Sequence, residues 1–225
     1  MGSLLELIRE GKTFEAIILI LSRCFVVFCC LPIHELAHAL VANKLGDDTA
    51  RVQGRLTISP FAHLDPIGTI MIFLVGIGYA KPVPVSPRKL KKPRRDMALI
   101  ALAGPVSNLI MSFIASFIYC ALARFLGYET IVGAAVCNFF WFAASVNVSL
   151  AVFNLIPIPP LDGSRILTSV LPDKAYFKFM QYERYIMIGL MAVLFLGILD
   201  KPISFLSNVF MGIVSFIPRL IFGVI

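Results

Sequence analysis

A long apolar run near the start of the chain contains two histidines and a glutamate, and this combination limits what the chain can fold into. The run covers residues 14–42, and His34-Glu35-Leu36-Ala37-His38 lies inside it. A run of this length is sufficient for a helix that spans a membrane. Histidine and glutamate are costly inside a membrane unless they are paired or bind a metal. The sequence therefore predicts a spanning helix that carries a polar site with a chemical role.

The spacing of these residues indicates which role. Two histidines four positions apart lie on the same face of a helix, one turn above each other. Imidazole nitrogens in that arrangement can bind one zinc ion, and Glu35 beside them can take a proton from the attacking water. The pattern is typical of a zinc peptidase. The alternative is a chance occurrence, because the pattern is short.

The composition excludes a soluble globular domain. Of the 225 residues, 59% are hydrophobic, and the mean hydropathy is +0.89. Soluble domains are typically about half apolar. We therefore expect an all-α polytopic protein of the cell membrane. Its length suits a single membrane-embedded metalloprotease domain over residues 1–225.

The net charge of +7 is concentrated between apolar segments rather than spread over a nucleic-acid-binding surface. Seven basic residues without an acidic neighbour form one loop: Lys81, Arg88, Lys89, Lys91, Lys92, Arg94 and Arg95. A short basic loop beside membrane segments predicts a cytoplasmic location and contact with anionic lipid of the bilayer. We expect no nucleic-acid partner, and the sequence does not indicate an oligomeric state.

The apolar segments predict about five to six transmembrane helices, a short re-entrant segment and small surface β-strands. Four segments are expected to cross and a fifth to cross or to lie along the interface: residues 14–44, 97–126, 130–155, 185–199 and, last, 203–217. Residues 66–79 are too short for a crossing and have basic flanks on both sides, which predicts re-entry. Residues 49–59 partly alternate polar and apolar side chains, which predicts one or two strands. Such strands could hold an unwound substrate by strand addition.

A catalytic zinc ion needs three protein ligands, and the helix supplies two. The stretch Asn154-Leu155-Ile156-Pro157-Ile158-Pro159-Pro160-Leu161-Asp162-Gly163 ends a later apolar segment with three prolines. Irregular backbone at membrane depth occurs where protein buries it or water reaches it. Asp162 is therefore the predicted third ligand. The alternative is that Asp162 caps a helix over residues 163–171.

Other polar residues compete for roles at this site. His63 could bind the metal, or it could hydrogen-bond the backbone only. Asp47 and Asp48 follow His38 closely and are expected to be solvated turn residues. Asn154 could hold the substrate backbone or a developing oxyanion, or it could bond its own helix end.

Five stretches together resemble the site-2 protease family of intramembrane zinc metalloproteases, peptidase family M50. Besides His34-Glu35-Leu36-Ala37-His38 and the stretch that ends in Asp162-Gly163, they are His63-Leu64-Asp65-Pro66-Ile67-Gly68-Thr69, Gly78-Tyr79-Ala80-Lys81-Pro82-Val83-Pro84-Val85 and Ala103-Gly104-Pro105-Val106-Ser107-Asn108. The resemblance extends over roughly residues 31–171.

This resemblance implies one Zn²⁺ per chain, held by His34, His38 and Asp162, with Glu35 as catalytic base and Asn154 near the substrate. It also implies hydrolysis of a peptide bond within or near the transmembrane segment of a single-pass membrane protein, usually after a first cut by another protease. Many relatives carry a PDZ or CBS domain, and we expect neither here. The alternative function is a divalent metal ion transporter, since intramembrane histidine and aspartate also mark ion paths.

Overall fold

The computed structural model describes residues 4–74, 78–172, 175 and 181–224, and the regular structure in these ranges is helical throughout. The α-helices are α1 (Leu4–Arg9), α2 (Thr13–Phe25), α3 (Leu31–Lys44), α4 (Thr49–Val52), α5 (Pro66–Leu74), α6 (Pro93–Phe125), α7 (Ile131–Asn154), α8 (Asp162–Val170), α9 (Glu183–Phe195) and α10 (Asp200–Phe222). Contacts divide the chain into two compact units, Met1–Lys91 and Lys92–Ile225.

Four of the described helices are long and apolar enough to cross a membrane. They are Leu19–Lys44, Pro93–Phe125, Ile131–Asn154 and Asp200–Phe222, each with an 18-residue window of mean hydropathy 1.7 or 1.9. The expected all-α membrane protein is thus confirmed, but not the count of five to six crossings. The expected crossing at residues 185–199 falls on α9, which has 13 residues. A helix of that length is about 20 Å long, whereas the hydrocarbon core is about 30 Å thick.

In the first unit, a π turn separates α2 from α3. The turn is Val26–Cys30, and the N–H of Leu31 bonds the carbonyl of Val26, five residues back. Pro32 follows at the start of α3. Because proline has no N–H and its ring displaces the preceding turn, a widened turn accommodates it without ending the helix. The chain therefore continues as one helical rod into His34 and His38.

Residues 49–59 form no strand, so the predicted surface strands are wrong. The carboxylate of Asp47 accepts a hydrogen bond from the Thr49 N–H at 3.0 Å, which starts the short helix α4. Gly54 ends it at φ +69°, and the N–H of Arg55 bonds the Ala50 carbonyl at 2.8 Å. This aspartate turn and glycine cap outweigh the β-branched pattern, because they satisfy the backbone locally. A substrate-binding strand at residues 51–58 is excluded for the same reason.

The described residues on either side of positions 75–77, which lie outside the described part of the chain, are close together. Asp65 caps α5 by accepting from the Gly68 N–H at 2.9 Å. Further along the chain, the N–H of Lys81 bonds the His63 carbonyl at 2.8 Å. A Cβ atom on Gly68 would lie 2.1 Å from the Tyr79 carbonyl oxygen, so glycine is required at this approach. A single crossing would separate the two ends by about 30 Å. Residues 65–68 and 79–81 therefore lie next to each other, and re-entry of residues 66–79 stays a prediction.

In the second unit, α6 is the central helix and packs against α7, α8 and α10. Gly104, Asn108, Ser112 and Ser116 are buried along one face of α6. Small residues let helix backbones approach closely in a membrane. The Ser112 hydroxyl uses this proximity and donates to the Ala144 carbonyl of α7 at 2.9 Å.

Candidate metal centre

His34 and His38 converge as their spacing predicts. Both side chains are buried in α3, with 4% and 7% of their surface exposed. Their Nε2 atoms are 3.1 Å apart, and the rings meet edge to face with centroids 4.7 Å apart. The two nitrogens are thus held by one helix in a single place.

This geometry can be compared with what zinc requires. Two nitrogen ligands at 2.0–2.1 Å from a tetrahedral zinc ion are about 3.3 Å apart. The observed 3.1 Å between the Nε2 atoms is close to that separation. Neutral imidazole is also a preferred zinc ligand. The pair therefore fits two of the three protein ligands of a catalytic zinc site.

Glu35 lies between the histidines in sequence and is half-buried. Its Oε2 atom accepts a hydrogen bond of 3.1 Å from the backbone N–H of Val83. Sequence reasoning missed this contact, because the two residues are 48 positions apart and a backbone donor has no residue signature. One sequence signal was present: Val83 is flanked by two prolines, which have no N–H of their own.

His63 has a different environment from the histidine pair. It is fully buried, and its Nε2 atom lies 2.8 Å from the Thr57 carbonyl oxygen. Its own carbonyl accepts the Lys81 N–H. Of the two roles that the sequence allows for His63, the structure shows the hydrogen bond to backbone.

Asp47 is not the solvated turn residue that the sequence suggested. It is fully buried, and its Oδ2 atom accepts the Ser86 N–H at 2.6 Å. Burial alone would raise the pKa of Asp47, but the Thr49 hydroxyl and the backbone N–H groups of Ser86 and Thr49 outweigh it and hold the pKa below its usual value. Asp48 remains at the surface and pairs with Lys89 at 2.6 Å.

Asp162 and Asn154 belong to the second unit. Asp162 is half-buried and is the first residue of α8, and Leu161 occupies the capping position before it. Gly163 fixes the chain here, because a Cβ atom would lie 2.2 Å from the Leu155 carbonyl oxygen. The Asn154 amide donates to the Leu150 carbonyl at 3.0 Å, so Asn154 bonds the end of its own helix, one of the roles that the sequence allows.

Comparison with known proteins gives the relationships of this chain. The model of peptidase family M50 matches residues 23–129 and 125–197. A Bacillus subtilis protein named "Putative zinc metalloprotease YwhC" is 48% identical over 154 residues, which cover 68% of this chain and 70% of that protein. "Putative zinc metalloprotease Rip2" of Mycobacterium tuberculosis is 30% identical over 181 residues, 77% of this chain and 65% of the relative.

A more distant relative also has a zinc metalloprotease name. "Zinc metalloprotease MJ0392" of Methanocaldococcus jannaschii is 26% identical over 172 residues, 74% of this chain and 38% of that protein. The chain thus spans less than two thirds of the length of Rip2 and of MJ0392. No solved structure matches it. Because the family model covers most of the chain, including both histidines, this chain belongs to peptidase family M50.

Proposed function

We propose that this chain is an intramembrane zinc metalloendopeptidase, which hydrolyses a peptide bond within or near the transmembrane segment of a single-pass membrane protein. The observation that carries the proposal is the pair of buried histidine nitrogens, 3.1 Å apart, on a helix long enough to span a membrane. The relatives of this chain carry zinc metalloprotease names. These names give the transporter alternative no support.

The metal would be held by His34 and His38 with Asp162 as the third ligand. Three protein ligands leave a coordination position open, as catalytic zinc sites do. When bound, zinc supplies Lewis acidity, which polarises a carbonyl and makes water more acidic. A carboxylate at the start of a helix after a proline-rich turn is well placed to be rigid.

The protein's own contribution to hydrolysis is proton transfer by Glu35. Glu35 takes a proton from water as the water oxygen bonds the scissile carbonyl carbon. It then gives that proton to the leaving amine as the C–N bond breaks. The scissile bond must first be freed from the helix of the substrate, because helical carbonyls are hydrogen-bonded internally. Asn154 is proposed to bind the freed backbone of the substrate.

The function is tested with the purified full chain, a single-pass transmembrane peptide and zinc. We expect cleavage that stops with a chelator and returns with zinc. Glu35→Gln should keep zinc bound and lose about 10²–10⁴-fold in rate, because the amide cannot accept the proton.

Two outcomes would contradict the proposal. Near wild-type cleavage by Glu35→Gln would remove Glu35 as the base. Zinc uptake by protein-containing vesicles, without any peptide cleavage, would favour the transporter.

A further inference from the structure

Residues 78–86, the proline segment, are held at three points by hydrogen bonds to other residues of the first unit. Near its start, the Lys81 N–H bonds the His63 carbonyl at 2.8 Å. In its middle, the Val83 N–H bonds Glu35 at 3.1 Å. At its end, the Ser86 N–H bonds the carboxylate of Asp47 at 2.6 Å.

Two prolines make the middle contact specific. Pro82 and Pro84 have no N–H, so Val83 supplies the single backbone donor between them. Lys81 and Val83 each precede a proline, which restricts both to extended backbone. The backbone is therefore stiff where it bonds Glu35. Little conformational entropy has to be lost to hold the Val83 N–H in place.

Buried groups fix both ends of the segment. Arg55 is 7% exposed, and its guanidinium donates to the carbonyls of Ala62 and Lys81. Asp47 is fully buried and accepts bonds from Ser86 and from Thr49. The Val83 N–H is thus positioned by anchors on either side of it in the chain.

The contact leaves Glu35 in a defined orientation. One carboxylate oxygen, Oε2, is bound by the N–H of Val83. Within the described part of the chain, no donor contacts the other oxygen, Oε1. Because one oxygen is held, the side chain already has a fixed conformation, and the second oxygen is in place to accept a proton from water.

We propose that Val83 is a positioning residue for the reaction, which acts through its backbone N–H by holding Glu35 in the orientation for proton transfer. The inference rests on the proposed role of Glu35. It predicts that the donor matters for turnover and that the valine side chain does not.

The test replaces the N–H of Val83 with an ester oxygen, by incorporating 2-hydroxy-3-methylbutanoic acid at position 83 of the full zinc-loaded chain. With the transmembrane peptide as substrate, kcat should fall about 10- to 100-fold, as expected for a lost hydrogen bond to a charged group. KM and zinc content should stay unchanged, since neither the substrate contacts nor the metal ligands are altered.

Matched variants separate the donor from the fold. The same ester at Val85, whose N–H has no acceptor among the described residues, should keep kcat within about twofold. Val83→Ala retains the N–H and should behave like the wild type, whereas Val83→Pro, which removes it, should reproduce the ester. If the ester protein does not fold, Val83→Ala and Val83→Pro still compare the chain with and without this N–H.

Three results would overturn the inference. An unchanged kcat for the ester at 83 would show that the bond is not used. A raised kcat would show that the bond restrains Glu35. An equal loss in Val83→Ala would assign the effect to side-chain packing. A failure of the proposed function appears separately, as activity retained by Glu35→Gln.

Discussion

At the scale of single residues, the chemistry proposed for the two histidines requires a third protein ligand, and Asp162 is the candidate. Its position is set locally by Gly163, where the Leu155 carbonyl leaves no room for a side chain. The structure places Leu161, not Asp162, at the capping position of α8. Asp162 therefore does not cap α8. The remaining structural role for its carboxylate is a favourable interaction of its negative charge with the positive end of the helix dipole.

Asp162→Ala should therefore lose zinc and activity, because two histidines alone hold the ion weakly. If the carboxylate acted only on the helix dipole, the loss would be about 0.3–1 kcal/mol of stability with zinc retained. Zinc per protein, measured on dialysed samples, distinguishes the two results.

His63→Ala is the control for this measurement. It removes a buried histidine whose Nε2 atom contacts the Thr57 carbonyl, and we expect it to keep its metal. A zinc-replete Asp162→Ala beside a zinc-free His63→Ala would mean that the third ligand is His63.

Residues differ in how far the sequence could predict their role. The meeting of His34 and His38 was predictable, because a spacing of four on a helix fixes it. The burial of Asp47 was not, since its partner Ser86 lies 39 positions away. The donor to Glu35 was also not predictable, because every residue except proline offers the same backbone N–H.

At the scale of elements, α5 and the residues that follow it have the clearest consequence for the membrane topology. The bond between Lys81 and His63 brings the two ends together. If the segment is re-entrant, exposed residues on either side of it face the same side of the membrane.

Single cysteines at Gln53 and Arg88 test this arrangement, on a background without the five native cysteines, all of which are free thiols. Both positions are exposed. We expect both to react with an impermeant thiol reagent from the cytoplasmic face of sealed vesicles. Labelling of the two positions from opposite faces would show that residues 66–79 cross.

The link between Asp47 and the proline segment predicts a stability effect. Asp47→Ala would leave the N–H groups of Ser86 and Thr49 without their acceptor, at about 1–3 kcal/mol for each buried group. Asp48→Ala should change the stability little, because its pair with Lys89 is exposed and screened by solvent. Unfolding midpoints in detergent compare the two variants, and equal midpoints would contradict the role of Asp47.

The same link has a pH dependence with a definite sign. Since the folded chain holds the pKa of Asp47 below its unfolded value, the stabilisation is complete above about pH 4. It is lost as the pH falls through the folded pKa, below about 4. The wild type should therefore lose more stability than Asp47→Ala in this acid range.

The strand prediction failed for a reason that belongs to this scale. A β-branched pattern is a weak signal when the residues before and after it satisfy the backbone by themselves. Here the Asp47 turn and the Gly54 cap do so. The long helices were predictable because their apolar length admits few alternatives.

At the scale of the whole molecule, zinc binding should appear as folding stability. An ion that binds the folded chain and not the unfolded one stabilises it by about 2.7 kcal/mol at a free concentration 100 times the Kd. The unfolding temperature should rise with zinc and fall with a chelator. His34→Ala should lose this zinc-dependent shift, and a shift of equal size in that variant would place the zinc elsewhere.

The π turn has a further consequence, which concerns angular register along the spanning helix. A turn closed by a five-residue hydrogen bond contains one residue more than a regular turn. Each residue of an α-helix advances the direction of the side chains by about 100°. One residue more in a regular helix would therefore rotate Glu35 by about that angle relative to α2, and the widened turn at Val26–Cys30 avoids this rotation. The π turn thus preserves the direction in which the whole His34–His38 turn faces, although the chain carries one residue more.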